Sequence, residues 1–481
     1  MKYIAILFCT LVLILSVSFA QTTIKWNNSF DLNISSNGNE YPRIVVDGKG
    51  YPQIIWHQTN RCMFTHWDGK TFTTPKMLNP GAVNVAGGSW MGPDIACRGD
   101  NIYVVFKQLP EDQSTSHIYC VSSFDGGVTF SSPVQVENIG TCISRFPTIT
   151  IDDFGNPIVA FMKFDAGFKN ARWVVSKSID FGFTFFIDVL ASGWSSGTST
   201  VCDCCPGTIC ATGKTVAMLY RDNNANIRDS WAGISKDSGN SFASGMNIDK
   251  LNWSINYCPA SGPDGVIIGD TLYSAFMSGG SGKTMVYSSK AALKDMTGAI
   301  AQTLTGNISG LSVQNYPRIA ADGNAMAIVW KQIVNGADQC LLRFTSDVSN
   351  GFPTAYDTVD IGNITTVDVA IGKSAVYVVW EDDITKTVKM RSGLFSSKSV
   401  PPEEKNSFEV SVYPNPSNSK INISSNNIID NLEITNLYGE KIYQAQCNEN
   451  NITLFLETSG VYFMKIKSKG EIILRKVLIS N

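Results

Sequence analysis

The sequence predicts an all-β protein: a β-propeller, seven blades favoured, followed by a small immunoglobulin-like β-sandwich. Three observations carry this. Openings such as Tyr41-Pro42-Arg43-Ile44 recur at a spacing of about 54 residues. Each is followed by a turn and a short run of Val, Ile and aromatic residues, which is strand composition. After residue 396 the repeat stops and a different alternating pattern begins.

The chain opens with an export signal. Lys2 precedes an apolar run from Ile4 to Val17, and Ser18-Phe19-Ala20 closes it. This reads as a signal peptide over residues 1–20. The run is short for a bilayer span, and no later segment is long and apolar enough, so the mature chain is expected to have no transmembrane segment. Basic and acidic residues nearly balance, 38 against 41, which excludes an electrostatic drive toward nucleic acid. Of the 12 cysteines, Cys9 leaves with the signal. Disulfides are the expected use of the rest in an exported protein.

The propeller is assigned to residues 21–396. Tyr316-Pro317-Arg318-Ile319 repeats the first opening identically. Related copies are Gly92-Pro93-Asp94-Ile95, Phe146-Pro147-Thr148-Ile149, Cys205-Pro206-Gly207-Thr208-Ile209 and Gly262-Pro263-Asp264, with a copy lacking proline at Val367-Asp368-Val369. The run after each opening often ends in an aromatic, as in Ile54-Ile55-Trp56, Val104-Val105-Phe106, Ile328-Val329-Trp330 and Val378-Val379-Trp380. A third and often a fourth strand follow, which is the content of a propeller blade. The seventh repeat lacks a clear fourth strand, and Thr23-Ile24-Lys25-Trp26 is expected to supply it and close the ring.

Between the third and fourth strands lies an octet, Ser123-Phe124-Asp125-Gly126-Gly127-Val128-Thr129-Phe130. It recurs at Ser178–Phe185 and Ser235–Phe242. Its Asp suits a tight turn that needs a backbone-bonding carboxylate, and its Gly supplies a positive φ. These octets resemble the Asp-boxes of sialidases and related propellers. The resemblance implies that Asp125, Asp180 and Asp237 are structural and lie opposite the active face. Sialidases have six blades, so six is the alternative if the last copy is only a flank.

Residues 397–407 read as a linker. Residues 408–481 carry Val412-Tyr413-Pro414-Asn415-Pro416, then Leu437-Tyr438-Gly439, then Gly460-Val461-Tyr462. In that order they resemble the C-terminal sorting domain of the type IX secretion system of Bacteroidetes. The resemblance implies the type IX machinery as a partner, transit through the periplasm and across the outer membrane, and release or surface attachment.

Charged residues cluster where the repeats place one end of the central channel. Arg43, Arg145 and Arg318 lie beside first-strand openings, Arg221 follows a second strand and Arg228 opens a third. Arginine's planar fork suits a carboxylate. The resemblance to sialidases, which hold an acidic sugar with three arginines, makes these five the candidate substrate-binding residues and Asp94 the candidate acid/base. The family opening, aromatic-Arg-Ile-Pro, is reordered here, and no nucleophile is assigned; Tyr41 beside Glu40, or Tyr316, are the candidates. Cys202-Asp203-Cys204-Cys205, with Tyr220-Arg221-Asp222 and Ile227-Arg228-Asp229, resembles a pattern in a group of secreted sialidase-like propellers. Its spacing also suits thiolate ligands. With only three histidines in the chain, disulfides are favoured, and no metal or cofactor is expected. Two functions follow: an exo-acting glycoside hydrolase on terminal acidic sugars, or a non-catalytic propeller that binds glycans or surfaces.

Overall fold

The computed structural model describes residues 24–32, 38–196, 200–396 and 408–480. The signal peptide, Thr23 and the linker at 397–407 lie outside the described residues. Among the described residues there is no α-helix, only one short 3-10 turn at Val348–Asn350, and no helix is long and apolar enough to cross a membrane.

Seven antiparallel blades form a closed ring, five of four strands and two of five, where the outer strand of one and the inner strand of the other are split in two. Their innermost strands are Asn39–Val46, Asp94–Arg98, Ile143–Ile151, Thr208–Thr212, Asp264–Ile268, Leu311–Asp322 and Ile364–Gly372, which define blades 1 to 7. No blade buries both of its faces by itself, because successive side chains on a strand point to opposite sides. Ile102, Val104 and Phe106 of blade 2 pack against blade 1, while Tyr103 and Val105 pack against blade 3. Each junction between blades is a separate apolar layer of this kind. The aromatics that end the second strands, Trp56, Phe106, Trp330 and Trp380, are all fully buried in these layers.

The N-terminal segment closes the ring. Lys25 and Trp26 pair with Leu394 and Gly393, and Phe30 and Asp31 pair with Met390 and Lys389, so the chain start supplies the outer edge of blade 7. Gly393 is required there, since a Cβ would stand 2.2 Å from Ile24 Cγ2 and 2.9 Å from the Trp26 ring.

Each octet is a turn wrapped around its Asp. Asp125 Oδ1 accepts from Ser123 Oγ (2.8 Å) and the Thr129 N–H (3.0 Å), and Oδ2 accepts from Thr129 Oγ1 (2.6 Å). Asp180 and Asp237 repeat the same bonds. Gly127, Gly182 and Gly239 all take positive φ. Phe130 packs edge-on against Phe64, 4.9 Å between ring centres, fastening blade 2 to blade 1.

The tail is one five-stranded sheet folded over as a small sandwich. Its long strand Lys420–Asn436 pairs early with Val410–Tyr413 and late with Gly460–Ser468, while Lys441–Phe455 runs beside both parts. Ile421, Ile423, Leu432, Ile434, Met464 and Val477 meet inside. The tail docks against the octets. The Asn415 N–H donates to Asp125 Oδ2 (3.1 Å), and the Phe124 N–H donates to the Asn415 carbonyl (3.1 Å). Lys476 Nζ lies 4.0 Å from the Phe124 ring centre and 3.3 Å from that of Phe181. Val461 and Leu478 join the apolar layer of blades 2 and 3. Asp125 thus has an interface role that the octet pattern alone does not convey.

Gly393→Val tests the closure. Overpacking a tight contact costs roughly 1–3 kcal/mol. We expect a lower thermal midpoint together with protease cleavage near residues 24–32; an unchanged melt would show that the N-terminal strand does not hold the ring.

Candidate functional site

Three inner strands open on an aromatic in a strained backbone. Tyr41, Phe146 and Tyr316 have φ of 53°, 52° and 51°. Each sits in a break of register between its inner strand and the second, at Glu40/Arg43, Arg145/Thr148 and Asn315/Arg318. Bulky residues seldom adopt positive φ, and such bulges re-aim side chains. The repeated aromatic-proline dipeptide is therefore a bulge signature rather than a substrate motif.

Below the bulges, carboxylates connect one blade to the next. Asp94 Oδ2 of blade 2 accepts the Ile149 N–H (3.1 Å) and Thr148 Oγ1 (2.7 Å) of blade 3. Asp264 Oδ2 of blade 5 accepts the Ile319 N–H (2.9 Å) of blade 6. Asp368 Oδ2 of blade 7 accepts the Ile44 N–H (3.0 Å) of blade 1. Arg318 lies between two of these acids, its Nε 3.2 Å from Asp264 and 3.0 Å from Asp368. Burial raises the Asp264 pKa, and the facing arginine opposes that rise.

Above this layer is a depression lined by Tyr41, Arg43, Trp90, Tyr316, Arg318 and Thr366, with one wall formed by Pro206–Thr208 and Ala260–Pro263. It encloses only about 30 Å³, the share of one water molecule in the liquid. Arg43 stacks on the Tyr41 ring at 3.6 Å. A larger space of about 280 Å³ lies farther down the channel, beyond Arg43, Arg318, Asp94, Asp264 and Asp368.

The sequence-predicted residues divide. Arg43 and Arg318 line the depression. Arg145 turns away to Glu111, bonded through Nε (3.1 Å) and Nη2 (2.9 Å), and covers Phe146. Arg221 is fully buried, its donors spent on the carbonyls of Ser261, Arg228 and Met277. Arg228 donates to the Ile255 carbonyl and to Cys202 Sγ. These three do not line the depression, because loop carbonyls, Glu111 and a thiol claim them. Asp94 lines the lower channel and is committed to the junction of blades 2 and 3. Tyr41 and Tyr316 both line the depression. Glu40 faces His57 instead, 3.6 Å away. Of the cysteines, Cys204 crosses to Cys258 as a disulfide.

Sequence reasoning did not place Trp90 or Thr366 here; it reached Glu381 as a strand-end acid near the candidate arginines, not as a buried carboxyl beneath these two. Glu381 accepts the Tyr41 N–H (3.3 Å) and the hydroxyls of Ser89 (3.1 Å) and Thr366 (3.1 Å). Burial pushes its pKa up to about 7. Its position at the end of a second strand in blade 7 was the only sequence signal.

Residues 411–480 match the family described as "Secretion system C-terminal sorting domain". The tail is a type IX sorting domain, which directs the chain to the cell surface or into the medium. No curated protein matches the chain. Among solved structures, a protein of unknown function from Dyadobacter fermentans is 13% identical, covering 65% of this chain and 95% of its own, with a TM-score of 0.45. The α-L-arabinofuranosidase Arb93A of Fusarium graminearum, in complex with an iminosugar inhibitor, is 12% identical over 69% of this chain and 98% of its own, TM-score 0.44. Trypanosoma rangeli sialidase in complex with 2,3-difluorosialic acid is 9% identical over 92% and 83%, TM-score 0.43. At such identities and scores these likenesses say nothing about activity.

Two outcomes follow from the geometry. Asp264→Ala strands Arg318 beside one acid and orphans the Ile319 N–H. Breaking a buried pair costs roughly 3–5 kcal/mol, against roughly 1–3 kcal/mol for the hydrogen bonds lost in the octet variant Asp180→Ala. Chemical denaturation should rank them in that order; the reverse order would remove the carboxylate connections from their structural role. Glu381, with its pKa raised in the folded state, favours the protonated form on folding. It is neutral for stability below the ordinary carboxylate pKa and increasingly destabilising as pH rises toward 7. Glu381→Gln should therefore gain stability over the parent between about pH 4.5 and 7, read as the difference in denaturation midpoints; a constant difference would mean Glu381 is ionised throughout.

Proposed function

We propose that the chain is an exported recognition propeller that binds the anionic end of a glycan across the channel mouth and does not cleave it. One observation carries this reading. Among the described residues that line the depression there are two arginines and three large aromatics, but no carboxylate. Glycoside hydrolysis in its usual form needs a pair of acids flanking the bond. Asp94 is not available, since both its neighbours on blade 3 hold it. The aromatics offer faces for a sugar ring, and Arg43, without a carboxylate partner within salt-bridge distance among the described residues, offers charge-assisted bonds to an anionic group. The sorting tail puts this face outside the cell.

Glu381 supports a second reading, a sialidase-type hydrolase. Its carboxyl lies beneath Tyr41, and burial first, then the charge of Glu381, raises the pKa of Tyr316. The resemblance to sialidases implies a Tyr–Glu nucleophile; here Glu381 bonds the Tyr41 backbone N–H, and Tyr316 is the phenol that its charge reaches.

The test uses the full chain against a panel of sialosides and other acidic and neutral glycans, with binding and released sugar measured on the same samples. We expect binding of acidic glycans and no product. Arg43→Met should weaken that binding about tenfold or more, as the loss of one charged hydrogen bond requires. Tyr316→Ala should weaken it as well. Turnover that disappears in Glu381→Gln would replace the binding reading with the hydrolase.

A further inference from the structure

The inner strand of blade 4 is interrupted. Thr200–Val201 pairs with Asp222–Asn223, and Thr208 resumes opposite Leu219, so Cys202–Pro206 is looped out between them. The loop carries three cysteines, and a fourth, Cys258, reaches it from the loop before blade 5. All four Sγ atoms lie within 4.8 Å of one another. Cys204 and Cys258 form the disulfide, with Cys258 exposed. Cys202 and Cys205 are buried thiols, 3.1 Å apart, and Cys202 Sγ is 3.6 Å from Cys204 Sγ.

The surroundings of Cys202 decide what this cluster does. Arg221 and Arg228 are both buried, and neither has a carboxylate within salt-bridge distance among the described residues. Two buried guanidinium groups without an anion are costly. Arg228 Nη1 donates to Cys202 Sγ at 3.0 Å. The Cys205 thiol and both arginines together pull the Cys202 pKa below the usual thiol range, while burial keeps Cys205 high. Arg228 thus holds Cys202 Sγ directly, and the arginine pair favours its thiolate. A guanidinium at 3.0 Å also takes a position that a metal ion bound to Cys202 would contest by charge.

We propose that Cys202, Cys204, Cys205 and Cys258 form a thiol–disulfide exchange centre, in which one disulfide moves between the exposed Cys204–Cys258 pair and the buried Cys202–Cys205 pair. The Cys202 thiolate attacks Cys204 Sγ. The Cys202–Cys204 bond forms, the Cys204–Cys258 bond breaks, and Cys258 leaves as a thiolate at the rim, where it takes a proton from water. Cys205 then attacks Cys202 Sγ. The Cys202–Cys205 bond forms, Cys204 leaves, and the Cys205 proton passes to Cys204. One disulfide exists before and after, so no oxidant is consumed. Attack by a thiolate on a disulfide sulfur is the general route of such exchange. Its product is an exposed dithiol, Cys204 and Cys258, able to react with a disulfide on a partner.

The exchange bears on the channel mouth. The disulfide holds the two loops whose residues Pro206–Thr208 and Ala260–Pro263 make one wall of the depression. Arg221 Nε holds the Ser261 carbonyl of that wall (3.0 Å), so the charge of Cys202 and the shape of the wall are connected.

The test maps linkage in the full chain. Protein held without reductant is jumped from pH 4 to pH 6–8, quenched in acid at intervals, labelled with N-ethylmaleimide after denaturation, and digested. Cys258 lies on a different peptide from the other three, so its labelling reports migration directly. We expect labelled Cys258 and an internal Cys202–Cys205 link to appear together. Arg228→Met should slow their appearance at pH 6 about tenfold, because fewer thiolates outweigh the higher reactivity of each. Cys202→Ser should leave Cys258 fully linked to Cys204; Cys205→Ser should stop at a Cys202–Cys204 link. Because migration is measured on the unaltered chain, the proposal stands or falls even if a variant misfolds. It is overturned if Cys258 stays fully linked while Cys202 and Cys205 label, if both disulfides are closed and static, or if native mass spectrometry finds one zinc held by the four cysteines.

Discussion

A carboxylate at the mouth of one inner strand, accepting the N–H of the next blade's inner strand, is the interaction on which this ring depends. The apolar layers between blades are non-directional and tolerate sliding. A charged acceptor 2.9–3.1 Å from one particular N–H does not. Asp94, Asp264 and Asp368 therefore fix the spacing at three of the seven junctions, 2/3, 5/6 and 7/1, and Arg318 ties two of these contacts together across blade 6. Because the ring is closed by the N-terminal strand on blade 7, an error at one junction would have to be absorbed by the others.

That arrangement shapes what the channel mouth offers. The charges that looked like a ligand-binding ring are mostly committed to the scaffold. Three acids face two arginines in the inner layer, so the channel is not a basic funnel. What remains is the bulge geometry of Tyr41 and Tyr316, which lines the depression with a half-buried ring, a buried ring and the buried Arg43 stacked on it. The strain of positive φ at bulky residues is retained only where the surroundings enforce it, and here the proline after each aromatic and the carboxylate below it do so.

The ring, the octets and the tail were legible in the sequence, because each rests on local chemistry repeated several times. Trp56, Trp330 and Trp380 mark second strands through composition and position alone. The Asp and Gly of each octet announce a turn without reference to anything distant. Lys25 and Trp26 were identifiable as a closing strand because blade 7 lacked one. The site was far less legible, since it depends on which charges meet across blades. Arg318 follows its Tyr-Pro pair and meets Asp264 and Asp368, whereas Arg145 precedes Phe146-Pro147 and meets Glu111, from the previous blade's loop. Their offset from the proline is readable in the sequence; the acids they meet are not. Glu381 looked like one more strand-end charge, and only the neighbouring Ser89, Thr366 and Tyr41 N–H make it a buried carboxyl. The crossing of Cys204 to Cys258 is likewise a matter of two loops 54 residues apart meeting in space.

The tail shows the same limit from the other side. Tyr413-Pro414-Asn415-Pro416 was readable as the start of a separate domain, and its own core is complete without the propeller. Yet Asn415 is almost fully buried, and its side chain joins tail and propeller: Nδ2 donates to the Lys476 carbonyl (2.6 Å) and the Phe124 carbonyl (3.4 Å), and Oδ1 accepts the Leu478 N–H (2.8 Å). Its backbone meanwhile bonds Asp125 and Phe124 of the propeller. A residue that looks like a linker-end turn is thus the pivot between two folding units. The octet of blade 3 also meets the tail, through Phe181 against Phe463 and Lys476, but only the Asp of the blade 2 octet bonds the tail backbone. Docking the tail on that face leaves the opposite face, with the depression and the cysteine cluster, open. On the proposed reading, export and recognition lie on opposite faces of the propeller, and neither requires the other to move.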